Sequence, residues 1–158
     1  MRGGVLRGPV FLLRASALWQ QYMMTDKTII VHSLEHAETA MAAADELGIG
    51  VTLRSAADAA AFMGAKVFRE ITDQAMAAHP NVSAKAVLDC GTDAGRAMNA
   101  LRNGVKLIRL QVSDNVMKKI ADMAAQHDAN LDNGAEKALD LALADNLSAA
   151  CRNWLRET

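Results

Sequence analysis

The chain has little cysteine, almost no net charge and no long apolar run. Its two cysteines, Cys90 and Cys151, form neither a disulfide framework nor the paired spacing of a zinc knuckle. We therefore expect a reducing, cytoplasmic setting. The formal net charge of −1 removes the usual electrostatic basis of nucleic-acid binding, which depends on clustered Lys and Arg.

The first 24 residues lack acidic side chains, although Arg2, Arg7 and Arg14 give them positive charge. Arg14 interrupts their apolar run, which is far shorter than the ~20 residues of a membrane-spanning helix, so we expect no membrane partner. We interpret residues 1–24 as a poorly ordered N-terminal extension, with a targeting segment as the alternative. Residues 25–158 are predicted to form a single α/β domain.

From residue 27 onward, short apolar segments alternate with segments of helical periodicity. This alternation predicts a parallel sheet of four to five strands covered by helices. The pattern also predicts one helix over about 58–79 and one last helix over about 135–156. The predicted strands are TIIVHS (28–33), VTLRS (51–55), AKAVLDC (84–90), KLIRLQV (106–112) and the brief ANLDN (129–133).

Two architectures fit this alternation. One is a half-TIM-barrel-like sheet, and the alternative is an open, flavodoxin-like doubly wound sheet; a complete eight-stranded barrel needs about 250 residues. In both architectures, functional groups gather where the parallel strands end. The polar residues at those ends are His32, Ser33, Arg54, Ser55, Asp89, Cys90, Gln111 and Ser113.

The segment ADELGIGVTLRSAADAAAFMG (44–64) resembles the second βα unit of the class II, metal-dependent fructose-bisphosphate and tagatose-bisphosphate aldolases. The strand AKAVLDCG, the helix DAGRAMNALRNG and the strand VKLIRL follow with similar spacing, so that the resemblance covers roughly residues 38–125. It implies that the chain corresponds to the N-terminal half of the aldolase barrel.

The resemblance also assigns roles to the LDCG turn, residues 88–91. In the family this turn reads L-D-H-G, with an acid/base aspartate and a zinc-binding histidine. Asp89 matches the aspartate, whereas Cys90 stands in the place of the histidine. A cysteine thiolate also binds zinc. The remaining zinc ligands of the family come from later strands that this chain lacks.

Other positions depart from the family pattern. Gln111, Val112 and Ser113 replace an Asp-Gly-Ser after the fourth strand, and the serine after the second strand falls on Ala56, with Ser55 one place early. The phosphate-gripping loops belong to the absent half. A single chain is therefore not expected to act as an aldolase.

Arg109 lies inside an apolar strand, where a buried unpaired charge would cost several kcal/mol. It must therefore reach water, an interface or a carboxylate such as that of Asp89. In strand alternation Arg109 and Gln111 point to one face.

These observations favour a non-catalytic, aldolase-derived domain that acts by self-association or by binding a ligand or partner. We expect a homo-oligomer and a possible small anionic ligand held by Arg54, Ser55, Gln111 and Ser113. No cofactor is expected in this case. The alternative is a metal-dependent, lyase-like enzyme whose site is assembled in an oligomer, with Asp89 as catalytic acid/base and zinc held by His32 and Cys90.

Overall fold

The computed structural model describes residues 26–134 and 137–157. The predicted N-terminal extension lies outside these residues. The strands are β1 (Lys27–Ile30), β2 (Val51–Arg54), β3 (Ala84–Asp89), β4 (Leu107–Arg109), β5 (Asn130–Leu131) and β6 (Ala138–Asp140). The helices are α1 (Leu34–Leu47), α2 (Ala59–Phe62), α3 (Ala65–Ala77), α4 (Ala94–Arg102), α5 (Asp114–Gln126) and α6 (Leu147–Arg156), with a 3₁₀ turn at Leu141–Leu143.

The six strands form one parallel sheet in the order β5-β4-β3-β2-β1-β6. The prediction of an α/β fold with alternating helices is confirmed, but the predicted count of four to five strands is wrong. The sixth strand lies in the segment predicted as one long last helix. There Asp140 accepts a hydrogen bond from the backbone N–H of Ala142, and Asn146 accepts one from Ala149 as the N-cap of α6. These local caps divide the segment into a strand, a 3₁₀ turn and a shorter helix.

The helix predicted over 58–79 is also divided, into α2 and α3. Gly64 lies between them with φ +85°, a left-handed value that glycine adopts without steric cost. The prediction was wrong here because apolar residues continue at helical spacing across the break. The start and end of α1 follow the sequence: Ser33 accepts a hydrogen bond from the backbone N–H of His36, and Gly48 ends the helix in the left-handed conformation.

The sheet has two distinct faces. Residues paired in parallel register share a face, and successive residues of a strand alternate between faces. One face packs with the helices into the main hydrophobic core, to which Ile29, Leu53, Leu88 and Ile108 contribute fully buried side chains. We call the opposite face the inner face.

The inner face is more polar. Thr28 pairs in register with Thr52, and Ile30 pairs with Arg54, which in turn pairs with Val87. Thr28, Thr52, Arg54 and Val87 are all buried, and Val87 lies outside the main hydrophobic core.

Each of the strands β1 to β5 lies beside the next one in the chain, and β6 lies beside β1. This order is compatible both with the predicted half-barrel-like sheet and with the open, doubly wound alternative.

Candidate functional site

The carboxyl edge of the sheet, where the parallel strands end, carries most of the residues predicted from the sequence. Asp89 pairs in register with Arg109, so both side chains belong to the inner face. Cys90 follows Asp89 and belongs to the main hydrophobic core on the helix-covered face. Asp89 and Cys90, which are neighbours in the predicted catalytic turn, therefore lie on opposite faces of the sheet.

The Asp89 carboxylate is held by backbone amides. Its Oδ1 accepts hydrogen bonds from Asp58 N at 2.9 Å and from Gly91 N at 2.8 Å. The backbone N–H of Asp89 donates to Ser55 Oγ at 2.9 Å. Asp89 therefore joins the loop after β2 to the turn after β3.

Cys90 is 0% exposed, and its thiol donates a long hydrogen bond to the carbonyl of Leu88. Burial, followed by the negative charge of Asp89, raises the pKa of Cys90 from 9.0 to about 12. Only the thiolate is a good nucleophile or metal ligand. At neutral pH Cys90 is consequently a small apolar core residue.

His32 lies at the other end of the carboxyl edge and contacts β6. Its Nε2 is 2.6 Å from Asp140 Oδ1, and its backbone N–H donates to His36 Nδ1 at 3.2 Å. Burial, and next the proximity of His32, lowers the pKa of His36. Asp140 was not predicted as a partner of His32, because the helical periodicity placed it within the last helix.

His32 and Cys90 therefore do not converge. Within residues 26–134 and 137–157, His, Cys, Asp and Glu side chains do not form a group of three or more that could hold a metal ion. A zinc site needs three or four ligands at about 2.0–2.3 Å. Within one chain, the described residues thus present no complete donor set for zinc.

Arg54 and Ser55, predicted to bind a ligand, are both enclosed. Arg54 is 9% exposed and lies on the inner face between Ile30 and Val87. Ser55 is buried and accepts the hydrogen bond from Asp89 described above. Both side chains are therefore buried in the fold and are not presented at the surface of the carboxyl edge.

Beside the LDCG turn, Arg96 of α4 binds two carboxylates. Its Nη1 is 2.8 Å from Asp58 Oδ1, and its Nε is 3.5 Å from Asp93 Oδ2. Asp93 is also the N-cap of α4 and accepts hydrogen bonds from the backbone N–H groups of Gly95 and Arg96. The charges at this part of the edge are thus paired with one another.

An open cleft of about 360 Å³ lies at the carboxyl ends of β4 and β5. It contains Gln111, which was predicted to bind a ligand, and Arg109, which was predicted to need a partner. Ser113, the N-cap residue of α5, is exposed close to this cleft. The residues that line the cleft are Arg109, Leu110, Gln111, Met117, Leu131, Asp132, Asn133 and Gly134.

Arg109 forms an ion pair inside this cleft. Its Nη1 is 3.2 Å from Asp132 Oδ2 and donates to the carbonyl of Gly134 at 3.3 Å. The side chains of Arg109 and Asp132 are 14% and 19% exposed. The sequence left water, an interface or a carboxylate such as that of Asp89 as the partner of Arg109, and Asp132 was not predicted. The signal that would have identified Asp132 is the polar segment after the apolar Leu131, since the carboxyl ends of parallel strands meet at one edge.

Among residues 26–134 and 137–157, every helix is too short or too polar to span a lipid bilayer. No protein-family model matches the chain, and a comparison with curated proteins finds no match.

Proposed function

We propose that the chain is a non-catalytic, aldolase-derived α/β domain that binds a small ligand with an anionic group in the cleft between β4 and β5. The observation that carries this proposal is the ion-paired Arg109 in a cleft at the carboxyl edge. Small-molecule sites occupy about 300–1,000 Å³ and occur at this edge of α/β sheets. The cleft's size corresponds to a ligand at the lower end of that range.

The derivation from a class II aldolase is supported by the resemblance over residues 38–125 and by a parallel strand order that is compatible with half of a barrel. The proposal that the domain is non-catalytic is supported by the hydrogen bonds and the burial of residues in the LDCG turn. Asp89 accepts two backbone hydrogen bonds, and Cys90 is a protonated core thiol. A catalytic acid/base must reach its substrate within hydrogen-bond distance. Here the Oδ1 of Asp89 instead accepts hydrogen bonds from backbone N–H groups.

Self-association belongs to the same proposal. Phe62 is 69% exposed and Leu143 is 84% exposed, and both are large apolar side chains. The edge strands β5 and β6 have two and three residues and leave backbone groups for further pairing. A homo-oligomer would cover such surfaces.

A thermal-shift panel tests the binding proposal. Wild-type protein is heated with simple carboxylates, hydroxy acids, inorganic phosphate, sugar phosphates and amino acids. We expect at least one of these classes to raise the Tm, because a ligand that binds only the folded state stabilises it. The Arg109→Met variant should lose the shift, whereas the variant of an exposed helical arginine, Arg102→Met, should keep it. Absence of any shift, or equal shifts in all three proteins, would show that the proposal is wrong.

A further inference from the structure

The cleft between β4 and β5 presents two opposite charges side by side. Arg109 and Asp132 are 3.2 Å apart, and both side chains are mostly withdrawn from water. Asp132 Oδ1 also accepts a hydrogen bond from the backbone N–H of Gly134, which fixes the acidic side of the pair. A ligand that enters this cleft must therefore match a cation and an anion at once.

We propose that the cleft takes a small zwitterion, an α-amino acid with an apolar side chain. The inference rests on the proposed binding function and names its ligand class. A simple anion that approaches Arg109 also approaches the carboxylate of Asp132, and like charges at this distance repel each other. An amino acid places its carboxylate near Arg109 and its ammonium near Asp132. Each side of the ion pair then faces the opposite charge of the ligand as well as its partner in the pair.

The remaining walls supply a surface for an apolar side chain. Leu110, Met117 and Leu131 line the cleft and are packed with the main hydrophobic core. Met117 has a flexible, polarisable side chain that adapts to differently shaped apolar groups. Gln111 and Asn133 are exposed and provide amide groups that donate and accept hydrogen bonds around the charged part of the ligand.

Isothermal titration calorimetry distinguishes the zwitterion inference from the broader proposal of a ligand with an anionic group. The full chain is titrated with L-leucine, with 4-methylpentanoate, which is leucine without its amino group, and with 3-methylbutylamine, which is leucine without its carboxyl group. We expect each truncated compound to bind at least roughly tenfold more weakly than leucine, because it attracts only one side of the ion pair and is repelled by the other. The Asp132→Asn variant should lose the preference for leucine over 4-methylpentanoate.

A second variant keeps the test valid if changes to the ion pair impair folding. Gln111→Trp places a bulky group in the cleft from an exposed position and should abolish leucine binding in a protein that stays folded by circular dichroism. If 4-methylpentanoate binds as tightly as leucine, the zwitterion inference is wrong and the anionic-ligand proposal stands. If no compound binds at millimolar concentrations, or if leucine binds Gln111→Trp unchanged, the zwitterion inference is wrong, and the thermal-shift panel decides the anionic-ligand proposal separately.

Discussion

Asp89 and Cys90 are neighbours in the chain, yet their side chains lie on opposite faces of the sheet. Asp89 is on the inner face, in register with Arg109, and Cys90 is in the main hydrophobic core beneath the helices. Strand alternation makes this unavoidable wherever an L-D-C-G turn continues its strand. Two groups that the resemblance assigns to one catalytic centre are thus held in different environments, one polar and one apolar.

The buried thiols predict a loss of stability at alkaline pH. Burial raises the pKa of Cys90 from 9.0 to about 12, and that of Cys151 to about 11. A group whose pKa is raised on folding stabilises the protein below its unfolded pKa, and this contribution is lost as pH rises through the folded pKa. We expect the free energy of unfolding to fall between pH 9 and 11 by up to about 1.4 kcal/mol per pH unit and thiol.

Urea unfolding at pH 8 and pH 10.5 checks this expectation. Other groups also titrate in this range, so the comparison is with Cys90→Ala, which should lose less stability between the two pH values than the wild type. Equal losses would contradict the assignment of Cys90 as a protonated core residue.

Removal of the Asp89 carboxylate is expected to act on stability. Asp89→Ala leaves the backbone N–H groups of Asp58 and Gly91 without this acceptor, and hydrogen bonds to charged groups contribute about 1.5–3 kcal/mol each. We expect a loss of about 2–5 kcal/mol by urea unfolding. Asp89→Asn retains an oxygen acceptor and should lose less. If Asp89→Ala unfolds at the same urea concentration as the wild type, the structural role of this carboxylate is wrong.

The contact between His32 and Asp140 is expected to hold the edge strand β6 on β1. Asp140→Ala removes both this contact and the acceptor for Ala142 N, so we expect a loss of about 1–3 kcal/mol. Relative to the wild type, amide hydrogen exchange in this variant should accelerate more in residues 138–140 than in the central strands. Asp145→Ala changes an exposed acid nearby and serves as the control. Unchanged exchange in β6 would argue against this role.

Self-association predicts more than one chain per particle at tens of micromolar concentration. Sedimentation equilibrium measures this, and Leu143→Ser, Phe62→Ser and the double variant test the exposed apolar positions. We expect at least one of these variants to shift the protein toward the monomer without a change in its helix content. A wild-type protein that is strictly monomeric at this concentration would refute the oligomer proposal.

The first four strands and their polar ends were predictable because each is a short apolar segment with a local start and stop. The end of the chain was not. Leu139, Leu143 and Leu147 recur at helical spacing, but Leu139 is in β6, Leu143 is an exposed residue of the 3₁₀ turn and Leu147 begins α6. Spacing alone does not reveal caps that divide a segment.

The pairs that define the candidate site depend on long-range topology. His32 meets Asp140 because β6 lies beside β1, across 108 residues of sequence, and Arg109 meets Asp132 because β5 lies beside β4. The sequence indicated that Arg109 must reach water, an interface or a carboxylate, since a buried unpaired charge is costly. Which carboxylate approaches it is decided by the sheet order.

The central claim is that the binding centre of this chain lies in the cleft between β4 and β5 and not at the LDCG turn. Amide NMR spectra recorded during separate titrations with L-leucine and with Zn²⁺ test it most directly. We predict that leucine shifts the amides of residues 109–111, 117 and 131–134, and that Zn²⁺ causes no saturable change at residues 89–91. Saturable binding of one Zn²⁺ per chain at residues 89–91, with no leucine response in the cleft, would contradict the account.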